Sequence, residues 1–323
     1  MVAAPLLLAA APRAVAQRPD AIRIGADNDA FNFWIPPWSR TDQEYTSGIR
    51  GSLEYFGPSR LLAPLHRLGA YITCDRPGPC GSHSFGIGQA IFTGATEDYR
   101  LADLPPGQAP PPPRPNAAWL FVELSERDSS SRGAGELSVQ LGVVGPPALG
   151  EQMQSLFHSL GPEYQRPMDW SRQLPFEPGF VVRYSRMTQL VSFADGERWR
   201  GSIVSHLGGA VGTIATDAVV GVGIRGDISL IRGRNDASSP RVALSLDARE
   251  RLVLRDEFLD GTFFRPSDRM SKRPLVAEGS AAFTFVWRQL GLTYRVSRVG
   301  RQYDGQRVMS TWGTIETEWR LSR

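Results

Sequence analysis

The chain has 323 residues, of which 41% are hydrophobic and 21% are charged, and its mean hydropathy is −0.24. No stretch approaches the roughly 20 unbroken apolar residues that a membrane-spanning helix needs, so a bundle of such helices is excluded. A formal net charge of +3 is too small an excess to indicate a nucleic-acid-binding protein, and no nucleic acid partner is predicted. Lys272 is the only lysine. Nearly all of the positive charge is therefore arginine. Guanidinium groups suit phosphate oxygens, although an arginine-rich composition alone explains this preference for arginine over lysine.

The N-terminal segment has the pattern of an export signal. Residues 3–11 form a short apolar core, and Ala14-Val15-Ala16 provides an A-x-A cleavage pattern before Gln17. Met1-Val2 carries no positive charge, which departs from the usual pattern. We predict a signal peptide over 1–16 and a single mature domain over 17–323.

Alternation of apolar and polar residues with a period of two dominates the rest of the chain. Between Leu137 and Val143 every second residue is apolar, and the residues between them are Ser138, Gln140 and Gly142. This is the pattern of a β-strand with one apolar and one polar face. It predicts about twelve strands, near 21–30, 45–56, 84–93, 116–126, 135–144, 179–192, 199–210, 217–227, 240–255, 277–289, 291–299 and 310–321.

Two architectures accommodate such strands, a soluble exported β-sandwich and a membrane barrel with lipid outside and water inside. The polar faces carry paired charges with Gly, Ser and Thr, as a wet lumen allows, and the strand number is even. Tryptophans near strand ends are typical of interfacial girdles: Trp34, Trp38, Trp119, Trp199, Trp287 and Trp319. These features favour a transmembrane antiparallel β-barrel in the outer membrane of a Gram-negative cell.

The connections between the strands indicate the orientation of this barrel. By parity the long connections 31–44, 94–115, 145–178 and 256–276 fall on one side, which we assign to the cell exterior. The connection 57–83 is also long but falls on the periplasmic side. It contains Cys74 and Cys80, whose close spacing in an exported protein suggests one local disulfide.

One helix is predicted within the outer connections. Gly145-Pro146-Pro147 is a typical beginning and Gly161-Pro162 a typical end, so the helix should span 147–160. Its apolar stripe contains Leu149, Met153, Phe157 and Leu160, and its polar stripe contains Glu151, Gln154 and His158. A histidine on the polar face of a loop helix is a candidate for chemistry, although an ordinary exposed histidine would show the same pattern.

Four ordered segments resemble the lipid A deacylase family of outer-membrane barrels. They are Asn28-Asp29-Ala30-Phe31 with Tyr45-Thr46-Ser47-Gly48, the helix segment 145–161, Asp169-Trp170 with Gln173-Leu174 and Glu177-Pro178, and Phe258-Leu259-Asp260-Gly261-Thr262. Each motif is short, but the ordered set spans most of the mature chain. Three segments depart from the family pattern: Thr93-Gly94, Pro115 to Phe121, and the terminal Leu321-Ser322-Arg323.

The resemblance implies a hydrolase that cleaves an acyl (3'-acyloxyacyl) ester of lipid A in the outer leaflet by a calcium-dependent mechanism like that of phospholipase A2. His158 is the implied general base, because histidine exchanges a proton near neutral pH. Gln154 lies one turn earlier on the same face and could orient the imidazole, position water or bind the substrate. Thr46 is assigned to both the catalytic and the calcium-binding sets.

The implied calcium ligands are Asn28, Asp29 and Thr46, with Glu163 as a further ligand or a partner for His158. Their oxygen donors suit calcium. In a regular strand, however, Asn28 and Asp29 would point to opposite faces. Both can serve one ion only if the strand ends or bulges there, and otherwise Asp27 is a competing ligand.

Arg100 and Arg114 lie in a predicted outer loop and are candidate contacts for lipid A phosphates. His66, His83 and His206 have no such context, and we interpret them as structural. The sequence contains no G-x-S-x-G, P-loop or H-E-x-x-H motif. Two alternatives remain open: a non-catalytic barrel that is porin-like or binds lipopolysaccharide, and the soluble sandwich.

Overall fold

A computed structural model describes residues 18–33, 44–57, 81–94, 113–130, 132–160, 169–195, 199–230, 239–307 and 309–321. The strands in these ranges are β1 (Ala21–Asn28), β2 (Glu44–Phe56), β3 (Ser82–Thr93), β4 (Ala117–Ser130), β5 (Gly133–Val144), β6 (Glu177–Asp195), β7 (Trp199–Gly212), β8 (Ala215–Ser229), β9 (Arg241–Asp256), β10 (Leu275–Trp287), β11 (Leu290–Val299) and β12 (Ser310–Arg320). The predicted signal peptide and the Cys74–Cys80 pair lie outside the described residues, as do Trp34, Trp38 and His66, and the domain boundaries stay a prediction.

These twelve strands form one closed antiparallel barrel in which each strand pairs with its neighbours in sequence. Closure is made by β1 and β12, from Ala21 opposite Arg320 to Asn28 opposite Gly313. The predicted barrel of about twelve strands is therefore confirmed, and the alternative of a sandwich is wrong. No helix in the described ranges is long and apolar enough to cross a membrane.

The largest difference in strand boundaries occurs in the β4–β5 hairpin. The prediction ended at residue 126 because the next residues are charged or small and polar. The strand in fact continues to Ser130, which pairs with Gly133, and Arg127 forms an ion pair of 3.0 Å with Glu136 on β5. Cross-strand pairing of opposite charges thus extends a strand beyond its visible alternation.

The two faces of the barrel wall are chemically distinct. Arg50 on β2 and Glu316 on β12 approach to 3.8 Å although β1 lies between their strands, so both side chains lie inside the barrel. The side chains on the other face of the strands, such as Ile24, Ile87 and Leu246, are more than half exposed and face outward. The barrel therefore has a charged lumen and an apolar outer surface, as expected of a barrel surrounded by lipid.

Histidines that the sequence analysis interpreted as structural have such contacts here. His206 on β7 lies 2.7 Å from the carboxylate of Asp247, which also accepts a hydrogen bond of 2.7 Å from Arg225. The ring of His83 forms a hydrogen bond of 2.8 Å with the carbonyl oxygen of Gly57.

The predicted tryptophan girdle is only partly present. Trp199, Trp287 and Trp319 are exposed at strand ends on one side of the barrel. Trp119 is instead buried with Val144, Leu174 and other apolar residues in a core cluster, so its assignment to the girdle was wrong. The alternation of β4 places this side chain on the lumen face, where it stacks on Phe121 with ring centroids 5.8 Å apart.

This core cluster fills the outer end of the lumen, the end where the long connections lie. One contribution from a connection is Phe258, whose ring stacks on Phe92 with centroids 4.2 Å apart. Phe258 belongs to a short helix (Glu257–Asp260) that follows β9. The sequence analysis treated this stretch as loop, because four residues are too few to show helical periodicity.

Candidate active site

The longest helix in the described ranges, α1 (Gly150–Leu160), is held against the outside of the barrel. Beneath its N-terminal end, Ala148 and Trp170 pack with Ile91 of β3 and Ala118 of β4. On β3, Ile91 continues the outward face that carries the exposed side chains of Phe85 and Ile87. The loop that contains α1 thus covers the outer end of the wall at β3 and β4, where bare wall would otherwise meet lipid.

The helix begins three residues later than predicted. Pro146–Ala148 form a 3-10 turn, and Leu149 then adopts a left-handed conformation with φ of 59° before α1 begins at Gly150. A side chain at Gly150 would place its Cβ 2.6 Å from both Ala118 and the ring of Trp170. Glycine therefore allows the helix to approach the wall closely. The predicted end at Gly161-Pro162 lies outside the described residues.

A glutamine of the barrel wall holds the segment before α1 against the wall. Gln89 of β3 is buried and donates a hydrogen bond from its side-chain amide to the carbonyl oxygen of Ala148. The sequence analysis did not single out Gln89, because a polar residue in a strand is ordinarily assigned to the lumen face. Its outward position is stable only because the loop covers it.

The other half of the site lies where β1 ends. Asn28 is the last residue of β1, and a 3-10 turn (Asp29–Phe31) follows at once. The side-chain oxygen of Asn28 accepts a hydrogen bond of 2.7 Å from the backbone of Ala30, and Asp29 is buried. The strand therefore ends at this point, which removes the requirement that the Asn28 and Asp29 side chains point to opposite faces.

Thr46 is brought beside this turn by an irregularity in β2. The pairing of β2 with β3 shifts between Tyr45 and Ser47, which makes Thr46 the extra residue of a β-bulge. Asn28 pairs with Ser47 across the β1–β2 ladder, so Asn28 and Thr46 are close neighbours. The Thr46 hydroxyl is buried and lies 2.6 Å from the Thr93 hydroxyl.

Asp27, the competing ligand, is committed elsewhere. Its carboxylate accepts a hydrogen bond of 2.7 Å from Tyr45 and one of 3.3 Å from Arg50. Arg50 is the lumen residue paired with Glu316, so Asp27 faces the lumen. The oxygen-rich turn consequently offers Asn28, Asp29 and Thr46 without Asp27. No three His, Cys, Asp or Glu residues converge in a metal-binding arrangement in the part of the chain that the structure describes.

The outer face of β3 connects the two halves of the site. This face presents Gln89, Ile91 and Thr93 in succession. Gln89 bonds to Ala148 before α1, and Ile91 packs against Ala148 and Trp170. Thr93 contacts Thr46. Through β3 the structure therefore links Thr46 and the neighbouring turn after Asn28 to the helix that carries His158, on the outward face of the wall.

On α1, Gln154 is buried and His158, one turn later, is half-buried. The indole nitrogen of Trp170 donates a hydrogen bond of 2.9 Å to the side-chain oxygen of Gln154. The side-chain nitrogen of Gln154 is buried and has no hydrogen-bond partner among the described residues. Leaving such a donor unpaired costs about 1–3 kcal/mol, and here the donor lies one turn from His158, so it is a candidate contact for a ligand.

The turn that carries Trp170 is tied to the wall by Asn116. Its amide nitrogen donates to the carbonyl oxygen of Asp169 at 2.7 Å, and its side-chain oxygen accepts from the backbone of Gly94 at 2.8 Å. Hydrogen bonds from Ser171 to the Asp169 carboxylate hold the pKa of Asp169 below its usual value. Asn116 and Gly94 both belong to segments that depart from the family pattern, and in this chain they anchor the site together.

Three predicted site residues remain, namely Glu163, Arg100 and Arg114. Glu163 and Arg100 lie outside the described residues. Arg114 is buried, pairs with the Glu44 carboxylate at 3.1 Å and stacks over the ring of Phe92. Tyr303 donates a further hydrogen bond to Glu44. The guanidinium of Arg114 thus stabilises the outer end of the barrel, and its contact with a lipid phosphate stays a prediction.

Comparisons with known proteins agree with this architecture. A family model described as outer membrane protein LpxR matches residues 1–321. The structure of LpxR from Salmonella typhimurium superposes with a TM-score of 0.70 at 14% sequence identity, covering 93% of this chain and 100% of that chain. The β-domain of the Bordetella autotransporter BrkA gives a TM-score of 0.45 at 10% identity, covering 94% of this chain and 100% of that one. No curated protein matches the sequence.

Proposed function

Because the chain belongs to the LpxR family of outer membrane proteins, we propose that it is a lipid A deacylase, a carboxylic ester hydrolase that removes a 3'-acyloxyacyl group from lipid A in the outer leaflet. One observation carries the proposal. The helix with Gln154 and His158 is held on the outward face of the wall, where Gln89 of β3 contacts the segment before it. On the same face of β3, Thr93 contacts Thr46, which neighbours the turn after Asn28. A substrate that is itself a membrane lipid reaches this face sideways, without passing through the lumen.

His158 is the proposed general base of the hydrolysis. It would take one proton from a water molecule, whose oxygen adds to the carbonyl carbon of the acyl ester. The bond between this carbon and the sugar oxygen then breaks, and the proton returns to the sugar oxygen. The products are a carboxylic acid and a free sugar hydroxyl, so the step needs no oxidant, reductant or second substrate.

The turn at the end of β1 fits a bound calcium ion by its donor chemistry. It offers an amide oxygen of Asn28, a carboxylate of Asp29 and a hydroxyl of Thr46, all hard oxygen donors on neighbouring backbone segments. These residues would hold the ion, with Glu163 as a further candidate. A bound calcium would supply positive charge that polarises the ester carbonyl and stabilises the negative charge of the transition state.

The test is mass spectrometry of lipid A from cells that express the chain, beside cells that express His158→Ala. We expect loss of one acyloxyacyl unit only with the intact protein, and at least a hundredfold lower activity in the variant, because a general base contributes about 10²–10⁴-fold. His83→Ala is the matched control, since that histidine contacts the backbone at Gly57, and it should retain activity.

Two results would contradict the proposal. Full deacylation by folded His158→Ala would remove the assigned base. Unchanged lipid A in all samples, including detergent-solubilised protein with added calcium, would instead indicate a non-catalytic barrel that is porin-like or binds lipopolysaccharide. Activity that survives a calcium chelator would refute the calcium requirement alone.

A further inference from the structure

The hydrogen bond between Trp170 and Gln154 fixes which end of the glutamine amide faces the indole. An indole nitrogen can only donate, so the atom 2.9 Å from it must be the amide oxygen of Gln154. The amide nitrogen is therefore directed away from Trp170. It is buried and meets no acceptor in the described ranges of the chain.

The indole is itself held rigidly. Trp170 is buried among Ile91, Ala118 and Ala148 on the outer wall, and Gly150 packs so closely that a Cβ there would lie 2.6 Å from its ring. Asn116 holds the backbone of the preceding residue, Asp169. The direction of the indole N–H is thus set by the wall.

We propose that Trp170 is a positioning residue for Gln154. It holds the amide so that its nitrogen donates a hydrogen bond to an oxygen of the lipid substrate beside His158, which lies one turn away on α1. An amide nitrogen can only donate, so its partner must be an accepting oxygen of the substrate, such as an ester or amide carbonyl. The inference rests on the proposed deacylase function and adds a residue to it.

The reason for a separate positioning residue is the symmetry of a glutamine side chain. Its oxygen and nitrogen have nearly the same shape, so a half-turn of the amide replaces a donor with an acceptor. An amide oxygen facing a carbonyl oxygen of the substrate would repel it. The Trp170 N–H stabilises one of the two orientations, and substrates would meet the donor.

A double-mutant cycle in the deacylase assay tests the proposal. The variants are Trp170→Phe, Gln154→Met and the double variant, with Arg172→Gln as a surface control on the same turn, where exposed Arg172 forms an ion pair of 2.8 Å with exposed Asp268. We expect Trp170→Phe to lower kcat about tenfold with KM changed less than twofold. In the Gln154→Met background the same change should lower kcat less than twofold, because the amide that Trp170 orients is then absent.

Three outcomes would overturn the inference: unchanged kcat in Trp170→Phe, an equal loss from that change in both backgrounds, or a loss in KM alone. The second outcome would mean that Trp170 acts through packing of α1. If the phenylalanine variant fails to fold, benzothienylalanine at position 170 keeps the bicyclic shape without the N–H, and the same outcomes decide. Absence of deacylation by the unaltered protein would instead refute the proposed function, so the two failures are distinguishable.

Discussion

At the scale of single residues, the site depends on interruptions of regular structure. Thr46 is the extra residue of the bulge in β2, and Asn28 is the point where β1 gives way to a turn. Regular strands would distribute these side chains over both faces of the wall. The interruptions instead gather polar oxygens on one side and leave Asp27 in the lumen with Arg50.

The bulge supports a prediction that distinguishes a calcium-binding role of the Thr46 hydroxyl from a purely structural one. Thr46→Val and Thr93→Val each remove one hydroxyl from the same 2.6 Å contact, so each should lose similar stability, about 1 kcal/mol. Only Thr46 is a proposed calcium ligand. We therefore expect Thr46→Val to lower deacylation at least tenfold and to raise the calcium concentration for half-maximal activity. Thr93→Val should change activity less than threefold in the same calcium titration; equal losses would assign the pair a purely structural role.

At the scale of elements, the loop after β9 is fastened to the wall by buried carboxyl groups. Both oxygens of Glu177 accept backbone hydrogen bonds, from Phe263 at 2.7 Å and from Phe264 at 3.0 Å. Glu257 of the short helix is fully buried and forms an ion pair of 3.5 Å with Arg255. Burial, reinforced by the nearby charge of Glu177, raises the pKa of Glu257 to about 8.

This pKa predicts how stability depends on pH. An unfolded glutamate titrates near 4.5, so between pH 4.5 and about 8 the folded barrel retains a proton that the unfolded chain has lost. Stability should therefore fall as pH rises through this window. In Glu257→Gln the fall should be smaller, and the unfolding midpoint in urea should exceed that of the unaltered protein at pH 8.5 but not at pH 4.5.

Glu177→Gln is a second test of this prediction. It replaces one of two accepting oxygens with a donor that faces a backbone N–H, so it should destabilise the barrel at pH 4.5. It also removes the charge that helps to raise the pKa of Glu257, so the fall in stability between pH 4.5 and about 8 should be smaller than in the unaltered protein. A urea midpoint of Glu257→Gln that follows the unaltered protein in parallel across the whole range would show that Glu257 does not set the pH dependence.

The strands could be predicted because a period of two is visible in a single sequence, and all twelve were. The helix was predicted for a similar reason, from its stripes and its flanking Pro and Gly. Contacts between distant segments leave no such local pattern. The bond from Trp170 to Gln154 and the outward burial of Gln89 both depend on how a loop folds back on the wall. The bulge at Thr46 likewise becomes visible only in the register of paired strands.

At the scale of the whole molecule, two apolar clusters lie on opposite sides of the wall. One fills the outer end of the lumen around Trp119 and Phe258, where the buried Arg114–Glu44 pair is also found. The other lies outside, under the loop of α1. The candidate active site borders the cluster on the outside of the wall. A lipid substrate can therefore reach it from the surrounding membrane rather than through the lumen.

A pair of identical substitutions on the two faces tests this arrangement. Ala118→Leu enlarges a fully buried side chain directly beneath Gly150, so it should push α1 from the wall, because a packed contact has no room for extra methyl groups. Ala282→Leu adds the same atoms on β10, where its neighbour Phe283 faces outward and Ala282 therefore faces the lumen. We expect Ala118→Leu to lower deacylation at least tenfold while the barrel stays folded, as judged by resistance to unfolding in detergent at room temperature. Ala282→Leu should retain at least half of the activity. The reverse pattern would mean that the reaction takes place inside the barrel. A site in the lumen would be affected by Ala282→Leu but not by a displacement of α1 on the outer surface.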